Sequence, residues 1–257
     1  MRHIDLNADL GEGGDQDGAL IALVSSANIA CGAHAGDPAG IRLAIDACLA
    51  AGVAVGAHPG YADREHFGRR PLALGAAGVR RQLSEQLQFF AGIAKQAGAV
   101  IHHVKPHGAL YNQADRDPEL ANAIVEAIQT TLGDTLLYCP PAGEMARAAN
   151  MAGLTPVAEG FADRRYRGDG SLVPRGEPGA VIDVIPDAIM QAVQIARNQS
   201  VSAENGSKVI PLAVGTLCVH GDGPQAAELM RQVRSALMDQ GFEIRSIPRK
   251  IPSAHAP

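Results

Sequence analysis

The sequence predicts an α/β fold closed into a single (β/α) barrel of about seven strands. Three observations predict it. Short Val/Ile/Ala-rich runs alternate with stretches of helical apolar spacing along the whole chain, the βαβα pattern of a parallel sheet. Several of these runs are apolar on both faces, as strands buried beneath helices are. The chain has 257 residues, a length that α/β barrels commonly reach as one unit, and no composition break or polar linker marks a second. Residues 1–247 are therefore expected to form one domain and the Pro-rich 248–257 to be a frayed, flexible tail. Periodicity does not encode strand order, so an open doubly wound sheet stays as the alternative.

Taken in order, the strand candidates are 4–10, 27–31, 53–57, 100–104, 136–139, 156–159 and 212–219. Between them Ile41, Ala44, Ile45 and Cys48 repeat at helical offsets, as do Val79, Leu83, Leu87, Phe90 and Ala94, and later Leu229, Val233 and Leu237. These are core-facing stripes. Asp37 before Pro38 reads as a helix cap. Residues 167–179, rich in Gly and Pro, read as a surface loop.

Composition narrows the function. Twenty-two Lys and Arg against 27 Asp and Glu give a net charge of −5, which argues against a nucleic-acid footprint. The longest run without a polar residue, 47–57, is far short of the roughly 20 residues that span a bilayer, so no membrane segment is expected. The amino terminus, MRHIDLNADLGE, is too acidic for a signal peptide, and a cytoplasmic location is expected. Four cysteines carry no C-x-x-C pair, so reduced thiols are expected and a zinc ribbon is not.

Polar residues gather directly after the strands: Asn7, Asp9 and Glu12; His34 and Asp37; His58, Tyr61 and Asp63; Lys105 and His107; Glu159 and Asp163; His220 and Asp222. In a parallel barrel all strands end on one face, so these residues are expected to converge. Each one alone reads more readily as a cap or a solvated loop residue. The repetition does not: four of the nine histidines follow four different strands, each next to Gly or Pro or one residue away.

Asp9, His34 and His58 suit a divalent metal, although no H-x-x-x-H or H-E-x-x-H spacing fixes two ligands on one element. Lys105 and His107 suit acid–base chemistry, with burial expected to lower the Lys105 pKa, and Asp9 or Glu12 suits a carboxylate base. Cys31 and Cys218 fit a buried apolar role better than a nucleophilic one. Arg64, Arg69 and Arg70 after one strand, and Arg164, Arg165 and Arg167 after another, suit a small anionic substrate. There is no G-x-x-x-x-G-K-[ST] phosphate loop and no G-x-S-x-G elbow, so a nucleotide would bind by another route or on another chain.

The ordered motifs DLNADLGE (5–12), SANIACGAHAGDP (26–38), GAHPGYAD (56–63) with FGRR (67–70), VKPHGALYN (104–112), EGFADRRY (159–166), DGSLVPR (169–175) and CVHGD (218–222) resemble the LamB/YcsF family over 3–247. The resemblance implies a barrel of the glycoside hydrolase/deacetylase kind, typically seven-stranded. It implies ATP-dependent hydrolysis of 5-oxo-L-proline to L-glutamate, performed with partner subunits B and C, where ATP is used by the complex and not necessarily bound by this chain. On that reading the candidate catalytic residues are Asp9, Glu12, His58, Lys105 and His107. The candidate substrate contacts are Asn7, His34, Tyr61, Arg69, Arg70, Arg164, Arg165 and His220. Asp9, His34 and His58 are candidate ligands of a divalent metal by analogy with related deacetylases. Two alternatives are a stand-alone metal-dependent amidohydrolase or deacetylase, and a non-catalytic subunit that delivers substrate to its partners.

Overall fold

The computed structural model describes residues 2–220, 223 and 225–249. The elements run β1 (Arg2–Leu10), α1 (Asp17–Ile21), β2 (Ser26–Ala30), α2 (Pro38–Ala51), β3 (Ala54–His58), a 3₁₀ turn (Arg64–His66), α3 (Gly75–Ala97), β4 (His103–Val104), α4 (Gly108–Ala114) and α5 (Pro118–Leu132). They continue with β5 (Leu136–Cys139), α6 (Glu144–Ala152), β6 (Thr155–Phe161), α7 (Ile185–Asn198), β7 (Ser200–Ser202), β8 (Val209–Pro211), β9 (Thr216–Cys218), α8 (Ala226–Asp239) and β10 (Phe242–Ile244). The tail expected at 248–257 lies, from 250 on, outside the described residues, as does Asp222.

Strands β1, β2, β3, β4, β5, β6 and β9 pair side by side in parallel, and β9 pairs back onto β1. The sheet is thus a closed barrel of seven strands, and the open-sheet alternative falls away. Strand β10 pairs with the first residues of β1, and β7 and β8 form a separate antiparallel hairpin. No described helix is long and apolar enough to cross a membrane.

The period-2 pattern of β1 explains how the barrel is filled. Ile4, Leu6, Ala8 and Leu10 are buried in the main apolar cluster, where strands meet helices. Asp5, Asn7 and Asp9 alternate with them and turn into the lumen, where a polar ladder replaces the apolar filling usual in such barrels. At the closed end Asp5 accepts hydrogen bonds from Ser25 Oγ at 2.6 Å, Ser26 Oγ at 2.7 Å, Tyr138 OH at 2.9 Å and Thr216 Oγ1 at 2.6 Å. One layer up, Asn28 Nδ2 donates to Asn7 Oδ1 at 2.7 Å and to Asp9 Oδ1 at 2.8 Å, while the His103 ring meets Asn28 Oδ1 at 2.7 Å. Gly56 leaves room for that ring: a Cβ there would lie 2.1 Å from His103 Nε2.

Two strand expectations are corrected in extent. Only His103–Val104 of 100–104 joins the ladder, and Val100 is exposed. Of 212–219, only Thr216–Cys218 is barrel strand, because the preceding residues leave the β7–β8 hairpin before entering the sheet. The Asp37 cap is present, its side chain accepting from Ala39 N and Gly40 N, with Pro38 in the first turn.

Candidate active site

At the carboxyl ends of the strands the polar ladder opens into a cavity of about 830 Å³, a size in the range of small-molecule sites. Its floor is Lys105, delivered by the turn after β4. Lys105 Nζ lies 3.0 Å from Asp9 Oδ1 and 2.9 Å from Glu159 Oε1, and donates to Asn7 Oδ1 at 3.3 Å and Cys218 Sγ at 3.1 Å. Burial would lower its pKa, but Asp9, Cys218 and Glu159 outweigh burial and raise it well above the ordinary lysine value. The expectation of a depressed lysine is corrected: Lys105 is a fixed cation. Asp9 is its counterpart. Burial opposes its charge, yet His58 and Lys105 hold the carboxyl well below the usual carboxylate range.

Beside this ion pair stands a second cluster. Glu12 Oε1 lies 3.3 Å from His34 Nε2, 3.7 Å from His58 Nε2 and 3.3 Å from His107 Nδ1. His34 and His107 stack at 3.9 Å between ring centroids, with His58 edge-on to both. His58 Nδ1 faces the Lys105 carbonyl at 2.7 Å, and His107 Nε2 faces the Phe67 carbonyl at 2.9 Å. A ring nitrogen facing a carbonyl must donate, which assigns the proton at each and leaves His58 Nε2 and His107 Nδ1 as facing lone pairs 2.9 Å apart. Two facing lone pairs require a proton or a cation between them. With a proton there it belongs to His58: burial lowers its pKa, but Asp9 and Glu12 raise it above the ordinary histidine value. Burial keeps His34 and His107 below it, His107 well below.

The same donors fit a divalent metal. One ligand atom each from Glu12, His34, His58 and His107 lies within 4.8 Å of all the others, and two of the imidazoles already have the opposite nitrogen oriented by a carbonyl. The carboxylate of this set is Glu12, not the expected Asp9. Asp9 groups instead with Cys218 and His220, and His58 Nε2 reaches its Oδ2 only at 3.5 Å.

The remaining wall is cationic. Arg69, Arg116, Arg164, Arg167 and Arg175 line the cavity. Burial and the nearby Arg175 push the Arg164 pKa down to about 10, while its guanidinium donates to the Ala180 and Val173 carbonyls. Residues 167–179, expected as a surface loop, instead fold back through bridges Tyr166↔Leu172 and Arg164↔Val181 to build this wall. His220 closes the far side, with Nδ1 at 3.0 Å from Asp163 Oδ1 and its ring stacked on Phe161.

Of the expected site residues, Asp9, Glu12, His58, Arg69, Lys105, His107, Arg164 and His220 line the cavity. Five do not. Asn7 lies one layer below, bonded to Glu159 and Thr216; His34 sits behind His107; and Tyr61 is buried with its hydroxyl donating to Gln113 Oε1 at 2.7 Å. Arg70 is exposed outside the cavity, and Arg165 is drawn outward to Asp187 at 4.0 Å. Tyr111 and Asp115, not among the expected residues, do line it. A signal existed: His107, Tyr111 and Asp115 recur every four residues along α4 and its caps, and so share one helix face.

The sequence profile of the LamB/YcsF family matches residues 4–251. The A subunit of 5-oxoprolinase from Methylococcus capsulatus is 45% identical over 251 residues, which is 96% of each chain. The crystal structure of the lactam utilization protein from Thermus thermophilus superposes with a TM-score of 0.89 at 39% identity, covering 95% of this chain and 100% of that one. A family 4 carbohydrate esterase from Streptomyces lividans, at 14% identity and a TM-score of 0.50 over 96% of this chain and 93% of its own, shares the fold alone. A match along nearly the whole length, with the same barrel carrying it, settles kinship: the chain belongs to the LamB/YcsF family.

Proposed function

We propose that this chain carries the ring-opening step of an ATP-dependent 5-oxoprolinase, hydrolysing 5-oxo-L-proline to L-glutamate together with subunits B and C. One observation carries the reading: a fixed lysine cation, a carboxylate ringed by three histidines and an arginine wall all face one cavity. Kinship to the A subunit of a 5-oxoprolinase and to a lactam utilization protein supports the choice of substrate.

A lactam carbonyl is a poor electrophile, and phosphorylation of its oxygen by ATP makes it a good one. With no phosphate loop in this sequence, ATP is used by the complex and reaches the lactam by another binding route or from another chain. Arg69 and Arg164 then hold the substrate carboxylate or the phosphoryl group, and Lys105 offsets the negative charge of the phosphorylated oxygen. Glu12, flanked by His107, takes a proton from the attacking water. His58, which holds its proton beside Asp9, gives it to the ring nitrogen as the C–N bond breaks, and the acyl phosphate so formed is hydrolysed by a second water to glutamate and inorganic phosphate. A divalent ion held by Glu12, His34, His58 and His107 would supply Lewis acidity to the same cavity. The chain is taken to work as one domain over 1–247, and its four free, buried cysteines accord with a cytoplasmic location.

The test is reconstitution. Subunits B and C with this chain should release glutamate and ADP from 5-oxoproline, and without it should release no glutamate. Glutamate at full rate without the chain would refute the proposal. Chelator-sensitive turnover by the chain alone, without ATP, would favour the stand-alone amidohydrolase instead.

A further inference from the structure

Three buried polar atoms of cavity-lining residues have no hydrogen-bond partner among the described residues: Asp115 Oδ1 and, on two side chains near each other, the Tyr111 hydroxyl and Glu159 Oε2. Both side chains are almost wholly buried, Tyr111 at 3% and Glu159 at 1% exposure, and such orphans are rare because each costs the lost hydration of the group. The rest of each side chain is tied down. Glu159 Oε1 is held by Lys105 at 2.9 Å and by Asn7 Nδ2 at 2.9 Å, which leaves Oε2 as the spare acceptor. The Tyr111 ring stands edge-on to Phe161 at 6.0 Å, and its hydroxyl carries a proton at any physiological pH because burial and the nearby Glu159 charge both raise its pKa well above the ordinary value. Glu159 lies near enough to hold the Tyr111 proton through both its charge and a hydrogen-bonding approach, yet neither the hydroxyl nor Oε2 has a partner at full hydrogen-bond geometry. The cavity therefore presents a fixed donor and a fixed acceptor from neighbouring side chains.

A five-membered lactam offers the complement. Its ring holds the amide cis, so the carbonyl oxygen and the N–H lie on one edge, whereas the trans amide of a peptide points them in opposite directions. We propose that Tyr111 and Glu159 form a lactam-recognition subsite, the Tyr111 hydroxyl donating to the ring carbonyl and Glu159 Oε2 accepting the ring N–H. This rests on the reading of the cavity as a lactam site and adds what selects the ligand. Opening the ring destroys the edge, so the subsite holds substrate and lets go of the amino acid product.

Calorimetric titration of the full chain with 5-oxo-L-proline and with its N-methyl derivative tests this, using wild type and Tyr111→Phe. Wild type should bind 5-oxo-L-proline at least about tenfold more tightly than the N-methyl compound, which has no N–H for Glu159. Tyr111→Phe should weaken 5-oxo-L-proline about tenfold, as loss of one hydrogen bond to a buried group does, and should melt at the same or a higher temperature because an unpartnered hydroxyl has gone. In the reconstituted complex the variant should raise KM more than it lowers kcat. Equal affinity for the two compounds, unchanged binding by Tyr111→Phe, or a clear fall in its melting temperature would each overturn the subsite. If those results accompany normal turnover by the wild-type complex, the subsite falls and the proposed function stands. Tyr111-dependent lactam binding without turnover by the wild-type complex would have the opposite meaning.

Discussion

At the scale of single residues, chemistry follows from pairings that lie far apart in the chain. Lys105 is a cation because Asp9 and Glu159 reach it from β1 and β6. Replacing it by Met leaves two buried carboxylates without their counter-ion; a loss of about 3–5 kcal/mol is expected in denaturant unfolding, along with loss of turnover. Asp115 makes a separate prediction. Burial raises its carboxyl from 3.8 to about 6, so the folded protein binds this proton more tightly than the unfolded chain. Between about pH 4 and 6 the folded state then holds more protons, and stability falls as pH rises through that window. Asp115→Asn removes the penalty: its melting temperature should exceed that of wild type by a few degrees at pH 8, on the order of 1 kcal/mol after screening by solvent, and match it near pH 4. At this scale residue types were legible and partners were not. The spacing of Asp9, Glu12, His34 and His58 says that a carboxylate meets histidines, but the choice of Glu12 over Asp9 depends on how the turn after β1 bends back toward His34.

At the scale of elements, most of the fold is written in local patterns. The alternation Asp5-Leu6-Asn7-Ala8-Asp9-Leu10 places one polar face inside the barrel and one apolar face against the helices. The two Asp-Pro starts, Asp37–Pro38 and Asp117–Pro118, cap α2 and α5. Asp37→Ala should cost about 1 kcal/mol in thermal unfolding, the usual value of an exposed N-cap. Gly56 is more demanding, since the His103 ring occupies the space a methyl would need and is itself stacked on Tyr138 at 4.0 Å. Gly56→Ala should destabilise by about 1–3 kcal/mol, read from the denaturation midpoint, and Gly56→Ser should do no better. The apolar run before His102 suggests a longer β4 than the chain forms, since only two residues there pair with both neighbours. The Gly and Pro content of 167–179 suggests a loop; that the segment folds inward to build a cavity wall depends on long-range bridges that composition does not carry.

At the scale of the whole molecule, seven parallel strands bring side chains from residue 9 to residue 220 to one rim. The polar lumen beneath that rim is what holds the site rigid: from Asp5 through Thr216, Asn7 and Asn28 to Asp9 and Lys105, each buried group orients the next. That convergence was legible from polar residues recurring after strands, whereas the division of the rim into an acidic and histidine-rich pole and an arginine wall was not, because it depends on the order in which the strands close. The central claim is that bond breaking occurs at this rim and not on a partner chain. The most direct measurement is glutamate formation by the reconstituted complex carrying His58→Ala, with assembly verified by size-exclusion chromatography. A fall of at least about a hundredfold with the complex intact is expected, in line with removal of a general acid; wild-type turnover by that complex would contradict it.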